Sequence, residues 1–310
     1  MQRNVPRAKR IGRPLQNLTI VIPAWNEESG LTATLLGLLQ NPTLRGATIL
    51  VVDDGSTDQT AQVAKAHKVG VIRNQRNLGY GASLKLGTRA ARTGLVAWFD
   101  ADGQHKAEDL ADMVTLLQRE NLDAVIAERS LGGFQDRRRR LGKLVLGWLA
   151  GMGTRQRLPD PNCGLRVFRR RIICRYLHLL PDGFSASTTS TMALLKRNYP
   201  IVFYPIQSRK RLGGQSSASQ IRDGLAAART ILHLTILFDA FRTFSLAAAF
   251  ISGAGFLYGF GLALYAGKGF PTFALLITLL GVQLFFLGVL CDQISALRLE
   301  RLEFPGESEG

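Results

Sequence analysis

Cysteine is scarce. The three present, Cys163, Cys174 and Cys291, form no Cys-x-x-Cys pair and leave an odd one over, which excludes a disulfide scaffold and a four-cysteine zinc site. Acids are outnumbered: 23 Asp and Glu stand against 39 Lys and Arg, so the 310-residue chain carries a formal charge of +16. No Gly-x-Gly-x-x-Gly follows the first apolar segment, which disfavours a Rossmann dehydrogenase. Met1 to Gln16 is basic and has no apolar stretch, so no signal peptide is expected and the first domain should stay in the cytoplasm. Charge is almost missing from one long stretch: between Thr243 and Cys291 a single charged residue, Lys268, occurs in 49 positions. The apolar share of 46% excludes wholesale disorder. At roughly 150 residues per domain the length suits about two units.

Two runs within the charge-poor stretch, 244–265 and 270–291, have 22 residues each. As helices rising ~1.5 Å per residue they reach ~33 Å, against a hydrocarbon core of ~30 Å. The link 266–269 suits only a tight hairpin, which places both ends on one side. Arg222, Arg229 and Arg242 precede the first run, and Arg298 and Arg301 follow the second, which marks that side as cytoplasmic. The expectation is a multi-pass protein of the inner (plasma) membrane, with the first domain and both termini cytoplasmic. A pair of buried core helices in a soluble protein is the alternative, and uncharged runs of this length exceed an ordinary core helix.

Residues 221–242 interrupt Leu225, Ile231, Leu232, Leu234 and Phe238 with Arg222, Arg229, His233 and Asp239, as a juxtamembrane amphipathic helix at the headgroup level would. A second interfacial candidate, 141–158, follows Arg137-Arg138-Arg139-Arg140. From Arg129 to Arg171 there are 12 Lys and Arg and two acids. Membrane lipids are the favoured partner for that charge, and no nucleic acid is expected, because no helix-turn-helix, zinc-finger or RNP-type motif accompanies it. Short spans often associate, which leaves room for a homo-oligomer.

Ahead of the spans the pattern alternates strand and helix. Leu18 to Pro23 reads as a buried strand, 29–40 as a helix, Ala47 to Asp54 as a strand, and 57–67 as a helix capped by Ser56 or Thr57. Val69 to Ile72, 80–92 and Leu95 to Asp100 continue as strand, helix and strand. Continuous apolar strands with intervening helices indicate an α/β fold with a Rossmann-like, mostly parallel sheet covered on both faces. Ligands of such sheets bind beyond the carboxyl ends of the strands. Pro23 to Glu28, Asp53 to Ser56 and Asp100 to Gln104 therefore face one pocket. Asp100-Ala101-Asp102 sets two carboxylates side by side, and like charges this close repel unless a cation intervenes. Oxygen donors from Asp100, Asp102 and Gln104 suit Mg²⁺ or Mn²⁺, which also accept phosphate oxygens. His105, beside them, reads as a hydrogen-bonding support rather than a ligand. Cys163 reads as packing.

Four motifs, Pro23-Ala24-Trp25-Asn26-Glu27-Glu28, Val52-Asp53-Asp54-Gly55-Ser56-Thr57-Asp58, Asn77-Leu78-Gly79-Tyr80-Gly81 and Asp100-Ala101-Asp102-Gly103-Gln104-His105, resemble the family-2 glycosyltransferases of the GT-A fold. Asp160-Pro161-Asn162-Cys163-Gly164-Leu165-Arg166, Phe184-Ser185-Ala186-Ser187-Thr188-Thr189, Arg211-Leu212-Gly213-Gly214-Gln215-Ser216 and the terminal hairpin are similar to the polyprenyl-phosphate branch, the dolichyl-phosphate mannose and glucose synthases. The sequence departs from that pattern at Trp25, where Tyr is commoner, at Lys106 for Pro, and at Ser217 for Lys. The Gln-x-x-Arg-Trp signature of processive synthases is absent.

The resemblance implies a basic tail over 1–17, a GT-A catalytic domain over 18–220, interfacial helices including 221–242, the transmembrane hairpin over 243–291, and a cytoplasmic tail over 292–310. It implies inverting transfer of a hexose from a nucleotide-sugar donor, UDP-glucose-like or GDP-mannose, to undecaprenyl or dolichyl phosphate, in cell-envelope glycan biosynthesis. Pro23, Trp25, Glu27, Asp53, Asp54, Lys85, Asp100 and Ala101 are then candidates for the nucleotide-sugar. Asp100, Asp102 and Gln104 are candidates for the metal. Arg129, Ser130, Arg166, Arg211 and Ser216 are candidates for the acceptor phosphate, and Asp100, Asp102, Arg129, Arg166 and Arg211 for catalysis. Lys85 also fits a solvated helix lysine, and Arg166 a structural ion pair. The segment 213–217, rich in glycine and serine, is expected to act as a lid over the acceptor. Two other functions fit parts of the chain: a membrane-anchored transferase acting on a glycolipid hydroxyl, with Asp160 as base, and a catalytically dead, basic membrane-binding protein.

Overall fold

The computed structural model describes residues 15–129, 163–207, 209, 220–267 and 269–300, with side chains from 240 to 297 in the two long C-terminal helices. Two compact units divide the chain, Met1–Gly224 and Leu225–Gly310.

In the first unit, seven strands among the described residues form one sheet: β1 (Leu18–Ala24), β2 (Thr48–Asp53), β3 (Gly70–Arg73), β4 (Leu95–Trp98), β5 (Ala124–Arg129), β6 (Arg166–Arg169) and β7 (Ile201–Ile206), in the order 3-2-1-4-6-5-7. The first four are parallel, linked by α1 (Glu28–Gln40), α2 (Thr60–Ala66) and α3 (Tyr80–Ala90). All seven residues of β1 are buried, as a strand covered on both faces requires. Pro23 lacks an N–H, and it falls past Val21, where pairing with β4 has ended. Ile20 and Ile22 of β1, Leu31 and Leu35 of α1, and Leu110, Val114 and Leu117 of α4 (Ala107–Arg119) belong to one apolar core. Each such side chain contributes about 1.5–3 kcal/mol of burial.

The sheet is mixed, because β6 runs antiparallel to both β4 and β5, while β5 and β7 are parallel. The pair Trp98↔Arg166 brings the start of β6 beside the end of β4. The carboxyl ends of β1, β2, β4 and β5 thus share an edge with the segment entering β6. After β6 come α5 (Arg170–Tyr176) and α6 (Ala186–Lys196). The helix expected over 57–67 begins only at Thr60, without the cap expected from Ser56 or Thr57; both of those residues are engaged by Asn26.

The second unit contains α7 (Gln220–Ala266), which begins just ahead of the unit boundary, and α8 (Thr272–Glu300). The segment 221–242 and the first apolar run belong to one continuous helix. Ser252 donates to the Thr278 carbonyl at 3.2 Å, and small residues, among them Ala248, Gly255 and Gly281, line the seam between the helices. The spans Ala240–Ala266 and Thr272–Leu297 are long and apolar enough to cross a membrane, yet only 17% of the most apolar window of each is buried. A core helix would be mostly enclosed; here Phe250, Leu257 and Leu264 point outward at 78%, 71% and 71% exposure. These helices suggest a membrane anchor.

Candidate active site

The ends of β1 and β2 are stitched together by side chains. Asn26 adopts φ 53°, a conformation that asparagine tolerates, and its Oδ1 accepts the Thr57 N–H at 2.8 Å. Its own N–H donates to Ser56 Oγ at 3.0 Å, and the Glu27 N–H donates to Thr60 Oγ1 at 3.0 Å. Trp25, 43% exposed, stands free of this lattice at the edge. Asp53 is buried, accepting the Ser56 N–H at 2.9 Å and pairing with Arg73 Nε at 3.1 Å. Asp54 is equally committed: Asn74 Nδ2 (2.7 Å), the Leu78 N–H (2.9 Å) and the Gly79 N–H (2.8 Å) all donate to its carboxylate. Asp54 therefore holds the turn that starts α3.

Asp100 and Asp102 follow β4. Tyr80, the first residue of α3, donates its hydroxyl to Asp100 Oδ1 at 2.8 Å, and His105 Nε2 donates to Asp100 Oδ2 at 3.1 Å. Desolvation, then the Asp100 charge, pushes the Tyr80 phenol well above its ordinary value, so it stays a donor. Burial alone would raise the Asp100 carboxyl; the bonds from His105 and Tyr80, together with Arg129, hold it below its usual value. Asp102 goes the other way. Burial and the Asp100 charge push it up to about 6, against the Gln104 N–H, which donates to its Oδ1 at 3.0 Å, and against His105 and Arg129. Gly164 leans on the Asp100 carboxylate so closely that any Cβ there would collide with both oxygens.

Two carboxylates, one of them resisting ionisation because of burial and then because of the other, are the arrangement a divalent cation relieves. Among the described residues no three His, Cys, Asp or Glu side chains converge as a closed metal cage. The donor set instead fits a hard cation that takes one or two carboxylates and completes its shell with water and phosphate oxygens.

Arg129, at the carboxyl end of β5, is within electrostatic reach of both aspartates. Arg166 is fully buried: Nε donates to the Cys163 carbonyl at 2.9 Å, and Nη1 to Ser190 (3.2 Å) and Thr191 (2.5 Å) on α6. Its charge also acts on Tyr80. Lys85 is held by the Asp182 carboxylate and the Leu180 carbonyl. Asp182 also receives the N–H groups of Gly81 and Ala82 on its backbone oxygen, which closes the start of α3. The Arg209 N–H donates to the Gln104 carbonyl at 3.0 Å. Ser130, the helix candidate 141–158, Asp160, Arg211, Ser216 and the lid segment lie outside the described residues.

The model for "Glycosyl transferase family 2" matches residues 19–178. The chain belongs to that family. An uncharacterized glycosyltransferase of Mycobacterium tuberculosis is 38% identical over 159 residues, covering 50% of this chain and 69% of that protein. The dodecaprenyl-phosphate galacturonate synthase of Rhizobium johnstonii is 31% identical, over 56% of this chain and 54% of its own. The undecaprenyl-phosphate 4-deoxy-4-formamido-L-arabinose transferase of Pseudomonas aeruginosa is 28% identical over 92% of this chain and 86% of that one, so the likeness extends into the C-terminal helices. Among solved structures, glucosyl-3-phosphoglycerate synthase from Mycobacterium tuberculosis has the same GT-A fold, with a TM-score of 0.54 and 18% identity over 71% of this chain and 78% of that chain. A further crystal structure of that synthase, at a TM-score of 0.53, holds Mn²⁺, UDP and phosphoglyceric acid.

This family 2 glycosyltransferase also builds its site from residues that sequence reasoning did not assign: Tyr80, Gly164 and Asp182. Tyr80 and Gly164 lie inside motifs already conspicuous as strings, and the signal available was a glycine or aromatic ring at a strand or helix end. Asp182 had no signal, since its partner Lys85 is 97 positions away.

Proposed function

We propose that the chain transfers a hexose from a nucleotide-sugar, UDP-glucose-like or GDP-mannose, to a polyprenyl phosphate such as undecaprenyl or dolichyl phosphate. An acceptor phosphate oxygen bonds to the anomeric carbon, with inversion, as the bond to the leaving diphosphate breaks. The observation that carries this reading is the carboxylate dyad with Arg129 at the same sheet edge. A dyad suits a donor diphosphate with its cation, and an arginine beside it suits an anionic acceptor. Two relatives named for polyprenyl-phosphate sugar transfer support the acceptor class.

Asp100 and Asp102, with Gln104, would hold Mg²⁺ or Mn²⁺. When bound, the cation neutralises charge growing on the leaving diphosphate. The chain's own residues do the rest. Tyr80 and His105 orient Asp100, and Arg166 ties the Cys163 carbonyl to α6 from within the core. Trp25 offers its ring to the nucleobase, Pro23 and Ala101 form walls, and Glu27 accepts ribose hydroxyls. Asp53, Asp54 and Lys85 act through the loops they hold. Arg129, with Ser130, Arg211 and Ser216, draws the acceptor phosphate toward the donor against the repulsion of two anions. A phosphate monoester is largely dianionic near neutral pH, so no general base is needed to ionise it. The C-terminal helices would keep the enzyme on the membrane that carries its acceptor.

A donor screen tests this. Full-length protein in detergent is given Mn²⁺ or Mg²⁺, each common sugar nucleotide in turn, and either polyprenyl phosphate or the matching polyprenol. Transfer to the phosphate alone is expected. Transfer to the free alcohol at an equal rate would overturn the acceptor assignment, and transfer only from pentose or uronic acid donors would overturn the hexose.

A further inference from the structure

Away from the catalytic edge, at the amino end of β4, lies a cleft of about 450 Å³ lined by Arg92, Thr93, Gly94, Arg169, Arg170 and Arg171. The four residues of β4, about 13 Å of strand, separate it from Asp100. Its frame is fixed by the backbone. The Arg170 N–H donates to the Gly94 carbonyl at 2.8 Å, and the Gly94 N–H donates to Asn17 Oδ1. The Thr93 hydroxyl is taken up by Thr19 and the Leu95 carbonyl.

Among the described residues, only Arg169 of the four arginines is committed. Arg169 donates to the Leu122 carbonyl (2.9 Å) and to Asn121 Oδ1 (2.6 Å), and lies 3.6 Å from Asp123. Arg92, Arg170 and Arg171 have no acidic partner among the described residues, and Arg170 Nε is buried without a hydrogen-bond partner. Among the described residues no carboxylate lines the cleft. Arg89, on the last turn of α3, adds to the same field, since both it and Arg170 reach Cys174. A buried guanidinium N–H without an acceptor is costly, and clustered like charges add to that cost. An anion with several oxygens relieves both.

We propose that this cleft is a second, non-catalytic binding site for a phosphate group carried on a small polyol. The guanidinium fork matches phosphate oxygens, and the volume exceeds what one phosphate fills. A soluble sugar or glycerol phosphate and the glycerol phosphate of a lipid headgroup present the same chemistry. The site does not depend on the transfer reaction proposed above.

The test uses full-length protein in a neutral detergent, with chelator present. In one arm glycerol 3-phosphate is titrated calorimetrically. In the other, phosphatidylglycerol retained by the protein is counted by native mass spectrometry. Wild type is compared with the triple variant Arg92→Gln/Arg170→Gln/Arg171→Gln and with Arg119→Gln, an exposed arginine elsewhere that pairs with Glu120. The triple variant leaves the catalytic edge intact, so the component it loses belongs to the cleft. Binding about tenfold weaker in the triple variant, unchanged in Arg119→Gln and falling with salt, is expected in at least one arm. Loss with glycerol 3-phosphate identifies a soluble ligand, and loss with phosphatidylglycerol alone identifies a headgroup. Retained sugar transfer shows that the variant is folded; should it not fold, Arg92→Gln alone, at an exposed position, is expected to weaken binding about threefold. Equal binding by wild type and variants in both arms, or no binding in either, overturns the proposal.

Discussion

Two aspartate pairs flank β1, one at the end of β2 and one after β4, and they are used in opposite ways. Asp53 and Asp54 are held from within: four N–H groups donate to them, and the Arg73 guanidinium pairs with Asp53. Asp100 and Asp102 lie within electrostatic reach of each other, and Asp102 is pushed up to about 6 by burial and by its neighbour. As strings the two pairs look alike, both carboxylates at a strand end. What separates them is how many backbone N–H groups return to the carboxylates. A pair that gathers many N–H groups holds loops, and a pair that gathers few has capacity left for a ligand.

The largest expected effect breaks the second pair. Asp102→Ala should lower sugar transfer about a thousandfold, the scale of losing a metal-held transition-state contact. Its unfolding midpoint should stay near wild type, since among the described residues Asp102 accepts one hydrogen bond, from the Gln104 N–H. Turnover assayed with and without chelator checks it. Activity within tenfold of wild type would place Asp102 with the structural pair.

Next comes the first pair. Asp54→Ala leaves the N–H groups of Leu78 and Gly79 and the Asn74 amide without their acceptor, at a cost of about 3 kcal/mol. Denaturant midpoints should show that loss, with nucleotide affinity falling as a consequence. A variant of wild-type stability that no longer binds nucleotide would invert the comparison and make Asp54 a direct ligand.

The difference between the pairs also marks where sequence reading stops. The first four strands, their helices and both apolar spans were legible, because burial on two faces, or a length and composition that suit a membrane span, shows as long apolar runs that local spacing reveals. The acid pairs were legible as strand-end motifs. Their partners were not. β6 is four residues with an arginine at each end, and reads as charged surface; Arg166 is buried only because Ser190 and Thr191 arrive on a helix 24 and 25 positions later. Lys85 sits where a diphosphate contact was expected, yet Asp182 engages it from 97 positions away. Ser56 and Thr57 looked like helix caps until Asn26 reached them across the edge. Each of these depends on side chains meeting through the tertiary fold, which local propensity does not encode.

The Tyr80 hydroxyl should give the mildest loss. Tyr80→Phe removes one hydroxyl and keeps the ring, which stacks on Phe184 at 5.3 Å and 22°. The fold and the start of α3 should survive. Asp100 loses one of its two donors and keeps His105. A hydrogen bond to a charged acceptor contributes about 1.5–3 kcal/mol, but His105 still orients the carboxylate, so a loss of about tenfold in kcat is expected. If Tyr80 acts by orienting Asp100, the half-saturating Mn²⁺ concentration should rise while the donor KM holds. A raised donor KM at unchanged Mn²⁺ dependence would mean that the hydroxyl contacts the donor itself. Asp100 would then owe its orientation to His105 and to the close wall of Gly164, and the second pair would be less dependent on its surroundings than the first.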